Sequence, residues 1–581
     1  MNLSIPTPSL PEIFRMQLEK ALQRLPQNEA KKVEIEVMPC AKEQFGHYQS
    51  NLALKLAKIL QKPPMEIAEM LEKLLDKGEE IAHVSVTKPG FMNATFAKEA
   101  LSKRVHALLE DPLLCAARPK SPQRIIVEFS SPNIAKELHV GHLRSTIIGE
   151  SIARLLAFLG HDILRLNHVG DWGTQFGMLI AYIDKYAAFD TEKSPNLETL
   201  MHWYKEAKKQ FDADPSFRTS SQQAVVSLQQ GDARSLNLWK AICAISRTAF
   251  EEIYQLLDVH IEERGESFYN PQLAPMVKEL EEQGMIEISD GAKCIFLDGF
   301  TNREGNRMPF MVQKSDGGFN YDTTDLAALK HRVLVEKADR IIIVTDLGQS
   351  LHFQLLFAAG KQVGYYDPSK VQVDHVGFGL VLGEDGKKFK TRSGETKKLV
   401  DLLKNAVVFA QKLVDEKSPD LSQSQRESLA KSLGISAVKY ADLASHRQKD
   451  YTFSYARMLR FEGNTAVFLL YSYVRMLGIQ RKVQAKKTPP LSVTLTHQTE
   501  ISLGLHLLRF SEALAFAEKE LHMHYLCDYL YHLAEKFNAF FRDCRVEGAK
   551  EEQQRLLLVE ACRKVLQKGL YILGIPTVDR M

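Results

Sequence analysis

Three features are missing from this sequence of 581 residues, and each absence excludes a class of protein. Its seven cysteines form no Cys-x-x-Cys or Cys-x-x-His pair, so we expect neither a structural zinc nor another protein-held metal. No apolar run approaches the roughly 20 residues that cross a bilayer, and no basic segment precedes an apolar core, so we expect no membrane span and no signal peptide. A large net charge is absent too, because 75 basic and 72 acidic residues leave +3. Any nucleic acid would therefore be bound by local basic patches.

The remaining composition is that of an ordinary globular protein. Hydrophobic residues make up 45% of the chain and charged residues 25%, and the length is enough for about two to four domains. The cysteines are odd in number and dispersed, which is typical of a reducing compartment. We therefore expect a cytoplasmic protein.

The most informative segment is a polar loop between a predicted strand and a predicted helix. The apolar run 125–129 is typical of a buried strand, and a pattern of helical period follows at 147–156. His139 and His142, with Gly141 between them, stand where the helix begins. A helix start presents free N–H groups and the positive end of its dipole to a phosphate, and a glycine lets a flat ligand approach. Imidazoles, either protonated or donating hydrogen bonds, can stabilise charge on that phosphate, although such a pair also occurs by chance or as half of a metal site.

The whole loop, residues 131–146, has the pattern Ser-Pro-Asn-Ile-Ala-Lys-x-x-His-x-Gly-His-Leu-Arg-Ser-Thr. It resembles the HIGH motif of class I aminoacyl-tRNA synthetases, in the form found in arginyl-tRNA synthetases. The resemblance implies that His139, Gly141 and His142 bind ATP and that the two histidines are catalytic. It also implies a catalytic phosphate contact from Lys136, just before the motif.

A glycine-rich basic loop at 383–394 is the second candidate for phosphate binding. Its lysines could clamp a triphosphate as the leaving pyrophosphate gains charge, while an exposed turn is the simpler alternative. The loop resembles the KMSKS loop of class I synthetases, with Lys388 at the first lysine, Lys390 at the serine and Arg392 replacing the second lysine. The resemblance implies catalytic phosphate contacts from all three, with Lys136 supplying the charge of the missing lysine. It further implies ATP contacts before the loop, at Phe378, Leu380 and Val381.

An acidic position on a predicted helix indicates an amino-acid pocket. Tyr321 and Asp325 are four residues apart and share a helix face, and a carboxylate pairs well with a planar guanidinium. The alternatives are that Asp325 is an acid on the helix surface and that Asp322 caps the helix start. Glu128 lies in an apolar strand, so we also expect its charge to have a partner. The resemblance implies an arginine site made of Glu128, Ser131, Asn133, His139, Tyr321, Asp325 and Gln349, and 167–177 resembles a further part of it without assignable roles.

Residues 1–118 are predicted to form a separate α+β domain. Helical patterns occur at 11–27, 50–61 and 64–78, and strand patterns at 33–37, 83–87 and, after a Pro-Gly turn, 91–96. The arrangement resembles the additional N-terminal domain of arginyl-tRNA synthetases, which contacts the tRNA elbow. The resemblance implies that Phe91 and Asn93 touch a D-loop base, as unstacked bases are recognised by rings and amides. The alternative is a core phenylalanine and a turn asparagine.

Residues 119–400 alternate strand and helix, which predicts a parallel sheet whose ligands bind beyond the C-terminal strand ends. Residues 401–581 are predicted to be helical, without a strand. Within them, 440–443 and 458–466 resemble the opening of the arginyl anticodon-binding bundle, although the family's tyrosine–glutamine pair is missing from 468–471. The predicted elements are strands at 125–129, 163–167, 341–345 and 371–376, a helical insertion at about 180–265, and helices at 434–451, 457–478, 502–519, 521–542 and 551–573.

The expected fold class is α/β: a Rossmann-like class I synthetase catalytic domain, an N-terminal α+β domain and a C-terminal all-α bundle. The resemblance implies a ligase that activates L-arginine with ATP, as its Mg²⁺ complex, and transfers arginine to the 3′ end of its tRNA. We expect a monomer. Two alternatives stay open. A class I synthetase for another amino acid is disfavoured by Asp325, and a tRNA-binding relative without catalysis is disfavoured by the intact histidines and basic loop.

Overall fold

The computed structural model describes residues 8–26, 28, 30–187, 195–302, 304–387, 398–483 and 492–581. The elements of the N-terminal part are α1 (Leu10–Gln23), β1 (Val37–Pro39), β2 (Tyr48–Ser50), α2 (Leu52–Leu60), α3 (Pro64–Leu74), β3 (Ile81–Thr87), β4 (Phe91–Phe96) and α4 (Lys98–Glu110). The four strands form one antiparallel sheet in the order β1-β2-β4-β3. The three predicted helices and the last two predicted strands are confirmed.

The first predicted strand of this part, 33–37, is wrong by position. Only Val37 belongs to β1. The residues before it contact α2, where Lys55 Nζ donates to the carbonyl of Glu34 at 3.2 Å and pairs with Glu36 at 2.8 Å. The alternation of valine, isoleucine and glutamate therefore comes from a segment lying along a helix.

The central part contains the parallel sheet. Its elements are β5 (Arg124–Glu128), α5 (Val140–Leu159), β6 (Asp162–Asn167), α6 (Thr174–Tyr186), α7 (Leu197–Ala213), α8 (Pro215–Gln229), α9 (Ala233–Leu256), β7 (Glu262–Glu263), α10 (Glu266–Glu282), β8 (Glu287–Ser289), β9 (Ala292–Thr301), β10 (Arg307–Gln313), α11 (Tyr321–Leu334), β11 (Arg340–Asp346), α12 (Ser350–Gln362), β12 (Gln372–Phe378) and β13 (Val381–Leu382). The sheet order is β12-β11-β5-β6-β7, with every pair parallel. All four strands predicted here are confirmed, and β7 adds a fifth.

Both faces of the sheet are covered, which explains the continuous apolar runs of β5 and β11. Ile125 and Val127 of β5 lie in the core that includes α5, whereas Ile126 lies in the core that includes α11 and α12. Because the strands are parallel, β5, β6, β11 and β12 end at one edge. The polar segments that follow them therefore meet there.

A second sheet in this part has no counterpart in the predictions. Strands β8, β9 and β10 pair antiparallel in the order β10-β9-β8, and Leu297 and Phe310 bury their side chains against α11 and α12. The pairing of β9 with β10 shifts register between Arg307 and Pro309 and again between Met311 and Gln313. Such irregularities interrupt the two-residue alternation by which a half-buried strand is recognised in a sequence.

The C-terminal part is a helical bundle, with elements α13 (Leu399–Lys417), α14 (Gln423–Leu443), β14 (Tyr451–Thr452), α15 (Tyr455–Met458), α16 (Ala466–Lys482), α17 (Gln498–Leu508), α18 (Phe510–Glu520), α19 (His524–Asp543) and α20 (Glu552–Ile572). Three predicted boundaries are wrong. The first helix ends at Leu443, because β14 follows and pairs with β13. The helix predicted at 457–478 begins at Ala466, where the Thr465 side chain caps it. The helix predicted at 502–519 is two helices that meet at Arg509. The expectation of no strand here is corrected by β14.

Gly149 lets α5 approach the end of β5. A Cβ at this position would stand 2.4 Å from the Cβ of Phe129. Gly149→Ala is therefore expected to push the helix off the sheet, destabilise the protein by about 1–3 kcal/mol and lower its thermal unfolding midpoint. The matched control is Gly478→Ala in α16, where a Cβ meets no atom within 4 Å and helix propensity adds up to about 1 kcal/mol. Equal midpoints for the two variants would show that α5 does not rest on Phe129.

Candidate active site

The loop before α5 is held in an unusual backbone conformation. Ser130, Ser131 and Ala135 have φ of 69°, 45° and 61°, in the left-handed region that non-glycine residues occupy at a cost of about 1–3 kcal/mol each. Hydrogen bonds hold them there: the Ser130 N–H donates to Ser145 Oγ at 2.9 Å and the Ser131 N–H to Asn167 Oδ1 at 2.9 Å. The loop is thus preorganised at the sheet edge where the strands end.

The two predicted histidines cap α5 and each other. The His139 N–H donates to Nδ1 of His142 at 3.1 Å, the Gly141 N–H donates to Nδ1 of His139 at 3.1 Å, and the ring centroids are 4.0 Å apart. With both Nδ1 atoms accepting, each neutral ring carries its proton on Nε2. Burial lowers the pKa of His139, and it lowers that of His142 to about 3. Of the two possibilities in the sequence, the structure favours neutral hydrogen-bond donors.

The chain lies beside these histidines just after the predicted basic loop. Lys388, Lys390 and Arg392 lie outside the described residues, but the next described residue, Lys398, forms an antiparallel bridge with His139. The Lys398 ammonium is 2.8 Å from the carboxylate of Glu137. Lys136 is exposed in the same loop, with Nζ 5.8 Å from the ring centroid of Tyr204 on α7.

Two of the three residues predicted to contact ATP before the basic loop have buried side chains. Phe378 and Val381 are each 4% exposed, whereas Leu380 is 39% exposed. Phe378 lies under the guanidinium of Arg144, and Val381 pairs in β13 with Tyr451. Both side chains belong to the core, so an ATP contact from Phe378 or Val381 would have to come from the main chain, and the contact stays a prediction.

Arg144, in the second turn of α5, bonds to three other segments of the chain. Its Nε is 3.1 Å from Oδ2 of Asp442 on α14, and its Nη1 donates to the carbonyls of Gly379 at 2.7 Å and Lys449 at 3.3 Å. Its guanidinium carbon also lies 5.1 Å from the ring centroid of Tyr451. Arg144 and Asp442 are fully buried, so this ion pair ties α5 to the segment after β12 and to the bundle.

The predicted acid of the amino-acid pocket is already paired with histidines. His352 Nε2 lies 2.7 Å from Oδ2 of Asp325, and His168 Nε2 lies 3.4 Å from Oδ1. Burial would raise the pKa of Asp325, but the two histidines hold it well below its usual range. Tyr321 and Gln349 are exposed, and the ring centroid of Tyr321 is 5.2 Å from that of His352, which bonds Asp325.

Glu128 has the partner that its place in an apolar strand required. Its Oε2 is 2.6 Å from Nη1 of Arg332 on α11, and its Oε1 accepts from Ser131 Oγ at 3.3 Å. Asn133 is exposed and bridged to Gly170, where a Cβ would stand 2.1 Å from Asn133 Oδ1. The prediction of a buried partner for Glu128 is confirmed.

Four polar residues of this region received no role from the sequence: Arg144, His168, Arg332 and His352. Arg144 and His168 lie in segments recognised only as whole motifs. Arg332 could be found only from the unpaired charge of Glu128, since the two are distant in the chain. His352 carried a local signal, because it follows Gln349 by three residues at the start of a helix.

The predicted tRNA-contacting pair lies on β4. Phe91 is half-buried. Asn93 is 1% exposed, its amide donates to Thr87 Oγ1 at 2.9 Å, and its oxygen accepts from Cys40 Sγ at 3.7 Å. A contact of Asn93 with a base would require it to exchange these partners, and it stays a prediction.

Other kinds of site were sought across the described ranges. No group of three or more histidine, cysteine, aspartate or glutamate side chains there is arranged to hold a metal ion. In the same ranges, no helix is both long and apolar enough to cross a bilayer. All seven cysteines are free.

Three family models match the chain in order. Residues 12–96 match the arginyl tRNA synthetase N terminal domain, and 104–455 match the catalytic domain of tRNA synthetases class I (R). Residues 469–581 match the DALR anticodon binding domain. The second match spans more than half of the chain and contains both histidines and Asp325.

Similar proteins match over nearly their whole length. The arginine–tRNA ligase of Protochlamydia amoebophila is 55% identical over 552 residues, 94% of each chain. That of Nostoc punctiforme is 46% identical and covers 98% of this chain and 99% of its own. Among solved structures, the Plasmodium falciparum arginyl-tRNA synthetase superposes with a TM-score of 0.84 at 31% identity over 98% of both chains. The Thermus thermophilus enzyme gives 0.81 at 26% identity, over 98% of this chain and 100% of that one.

Proposed function

The chain belongs to the class I arginyl-tRNA synthetases and is an arginine–tRNA ligase, and from this premise we propose how its residues divide the reaction. The carboxylate of arginine attacks the α-phosphate of ATP, giving arginyl-adenylate and pyrophosphate. The terminal ribose of the tRNA then attacks the adenylate. No protein nucleophile takes part, so the residues act by positioning substrates and by stabilising charge.

On the ATP side, the proposal rests on the start of α5. His139 and His142 donate through Nε2 to the phosphate on which charge develops, and Gly141 gives the ligand access to the helix N–H groups. Lys136 and the basic loop that carries Lys388, Lys390 and Arg392 bind the leaving pyrophosphate. Mg²⁺ enters with ATP as part of the substrate.

On the arginine side, the single observation that carries the proposal is Asp325 between two histidines. A carboxylate that is ionised, half-buried and held by exchangeable cations is suited to a guanidinium. Tyr321 and Gln349 flank it, while Glu128, Ser131, Asn133 and His139 bind the α-amino and carboxylate groups.

The tRNA is proposed to contact both ends of the chain. Phe91 and Asn93, in residues 1–118, meet the tRNA elbow, residues 119–400 form the catalytic domain, and 401–581 bind the anticodon. The tRNA read is the one specific for arginine. We further propose that the protein is cytoplasmic and monomeric. The seven free cysteines favour a reducing compartment. Sedimentation would test the oligomeric state.

The test is arginine-dependent exchange of pyrophosphate into ATP, with and without tRNA specific for arginine, and with lysine as the control amino acid. Exchange with arginine but not lysine supports the assignment of the pocket. Exchange with another amino acid would contradict the arginine site, and no exchange under any condition would contradict the catalytic roles. A requirement for tRNA would show that tRNA binding completes the site.

A further inference from the structure

His352, on α12, lies between two carboxylates of α11. Its Nε2 is 2.7 Å from Oδ2 of Asp325, and its Nδ1 is 3.1 Å from Oδ1 of Asp322. A neutral imidazole has one N–H, so it would leave one carboxylate facing a bare nitrogen lone pair. Only the imidazolium donates to both. The geometry therefore fixes a positive charge on His352.

The groups packed against His352 from its neighbours favour this charge. Burial would lower its pKa, but the hydrogen bonds with Asp322 and Asp325 raise it to about 9. From β12, His375 faces it as a neutral ring, since burial lowers the pKa of His375 to about 4. The Tyr321 ring lies 5.2 Å away, with a pKa raised chiefly by Asp322. His352 is thus the cation of this cluster.

On the other side of Asp325, the remaining charged side chains interact with one another. His168 is 3.4 Å from the second oxygen of Asp325, and despite its burial the charges of Asp325 and Glu128 raise its pKa. Arg332 is paired with Glu128. Glu266 faces His168 and Asp325, with a pKa raised to about 7 by burial. Of the two histidines at Asp325, His352 also contacts a second carboxylate directly, that of Asp322, which it keeps when it gives up Asp325.

We propose that His352 is a specificity-determining residue of the arginine site: it holds Asp325 until a guanidinium displaces it, and on that exchange it releases one proton to solvent. The inference rests on the proposed placement of arginine at Asp325. A guanidinium competes well because its planar fork gives a carboxylate two parallel N–H donors. A neutral side chain brings no charge to replace the imidazolium, and an ammonium brings only a point charge. Either kind of side chain leaves Asp325 paired with its histidine, which increases the difference in affinity between arginine and competing amino acids.

The exchange gives arginine binding a pH dependence of definite sign. In the free enzyme His352 is protonated up to about pH 9, and in the complex it has lost a carboxylate, so the complex holds fewer protons. Arginine affinity therefore rises with pH, by up to about tenfold per pH unit, between the pKa of His352 in the complex and its pKa in the free enzyme. The effect on folding has the opposite sign. The raised pKa adds stability that is complete below about pH 6.5 and is lost as the pH rises through about 9.

The test is calorimetric titration of L-arginine into the full-length enzyme, alone and with its tRNA, between pH 7 and 9 in two buffers of different ionisation enthalpy. We expect release of close to one proton per arginine near pH 8. His352→Gln, which keeps an N–H donor for Asp325 but carries no charge, should release fewer protons and vary in affinity by less than about twofold over this range. The α-amino group of arginine titrates here too, but it contributes equally to both proteins and cancels in the difference.

His331→Gln is the matched control, since His331 lies on α11, the helix of Asp322 and Asp325, but near its C-terminal end, and should leave proton release unchanged. His352→Gln should also lose about tenfold of the preference for arginine over lysine and over citrulline, its neutral analogue. Equal proton release by wild type and His352→Gln overturns the inference, and so does an undiminished preference. Asp325→Asn distinguishes failure of the proposed arginine site from failure of the proposed role of His352. Unchanged arginine affinity in that variant refutes the placement at Asp325, whereas a loss there without any effect of His352→Gln refutes only the role of His352.

Discussion

Asp325→Asn is expected to lower kcat/KM for arginine by at least about 100-fold, because removing one partner of a buried charge pair costs roughly 3–5 kcal/mol. The KM for ATP should not change, since the predicted ATP contacts lie at the start of α5 and after β12. The fold should survive. His168 and His352 have pKa values raised by Asp325, and without it both can become neutral in place of remaining as unpaired charges.

The measurement is steady-state aminoacylation at varied arginine and varied ATP. Asp322→Asn is the comparison, because Asp322 contacts His352 but is not proposed to touch the guanidinium. It should lose much less than Asp325→Asn. A near-normal arginine KM in Asp325→Asn would remove this carboxylate from the pocket, and equal losses in the two variants would mean that the pair acts only through His352.

His142→Ala is expected to reduce kcat for pyrophosphate exchange by about 100- to 1,000-fold, the usual effect of removing one preorganised donor from a developing charge. The loss should fall on kcat, with the KM for arginine little changed, because the donor acts on the phosphate. Lowering the pH from 8 to 6 should bring no gain from this ring in the wild type, since the pKa of His142 is about 3 and it stays neutral throughout.

His142→Asn separates chemistry from folding in this prediction. The alanine variant also loses the acceptor for the His139 N–H, a helix cap that contributes about 0.5–2 kcal/mol. Asparagine can restore an acceptor and a donor, so it should recover part of kcat and most of the thermal midpoint. A rise in KM with unchanged kcat in either variant would assign His142 to ground-state binding.

The parts of the fold that were predictable are those with local causes. Strands β5 and β11 are inside the sheet and buried on both faces, so each appears in the sequence as an apolar run. Strands β6 and β12 are partly exposed, and only their apolar positions mark them in the sequence. Strand β8 is short and the pairing of β9 with β10 shifts register twice, so no regular two-residue alternation marks them. Helix ends in the bundle depend on a cap at Thr465 and on the pairing of β13 with β14, and distant pairings leave no trace in a single segment.

The site divides in the same way. His139, Gly141 and His142 could be predicted together because one segment of the sequence contains all three. The partners of Glu128 and Asp325 come from other helices, and only the need of a buried charge for a counter-charge pointed to them. Phe378 and Val381 show a further limit, since a motif assigns a residue to a candidate site without saying whether its side chain is buried.

Arg144 joins the helical bundle rigidly to the start of α5. Its guanidinium is bonded to α14, to the segment after β12 and to the chain at Lys449, all away from water. Sliding any of these past another would strand a buried charge, at roughly 3–5 kcal/mol, several times the thermal energy. Under the proposed roles, a force that bound tRNA exerts on the bundle would be carried through this stiff joint to the histidines proposed to face ATP.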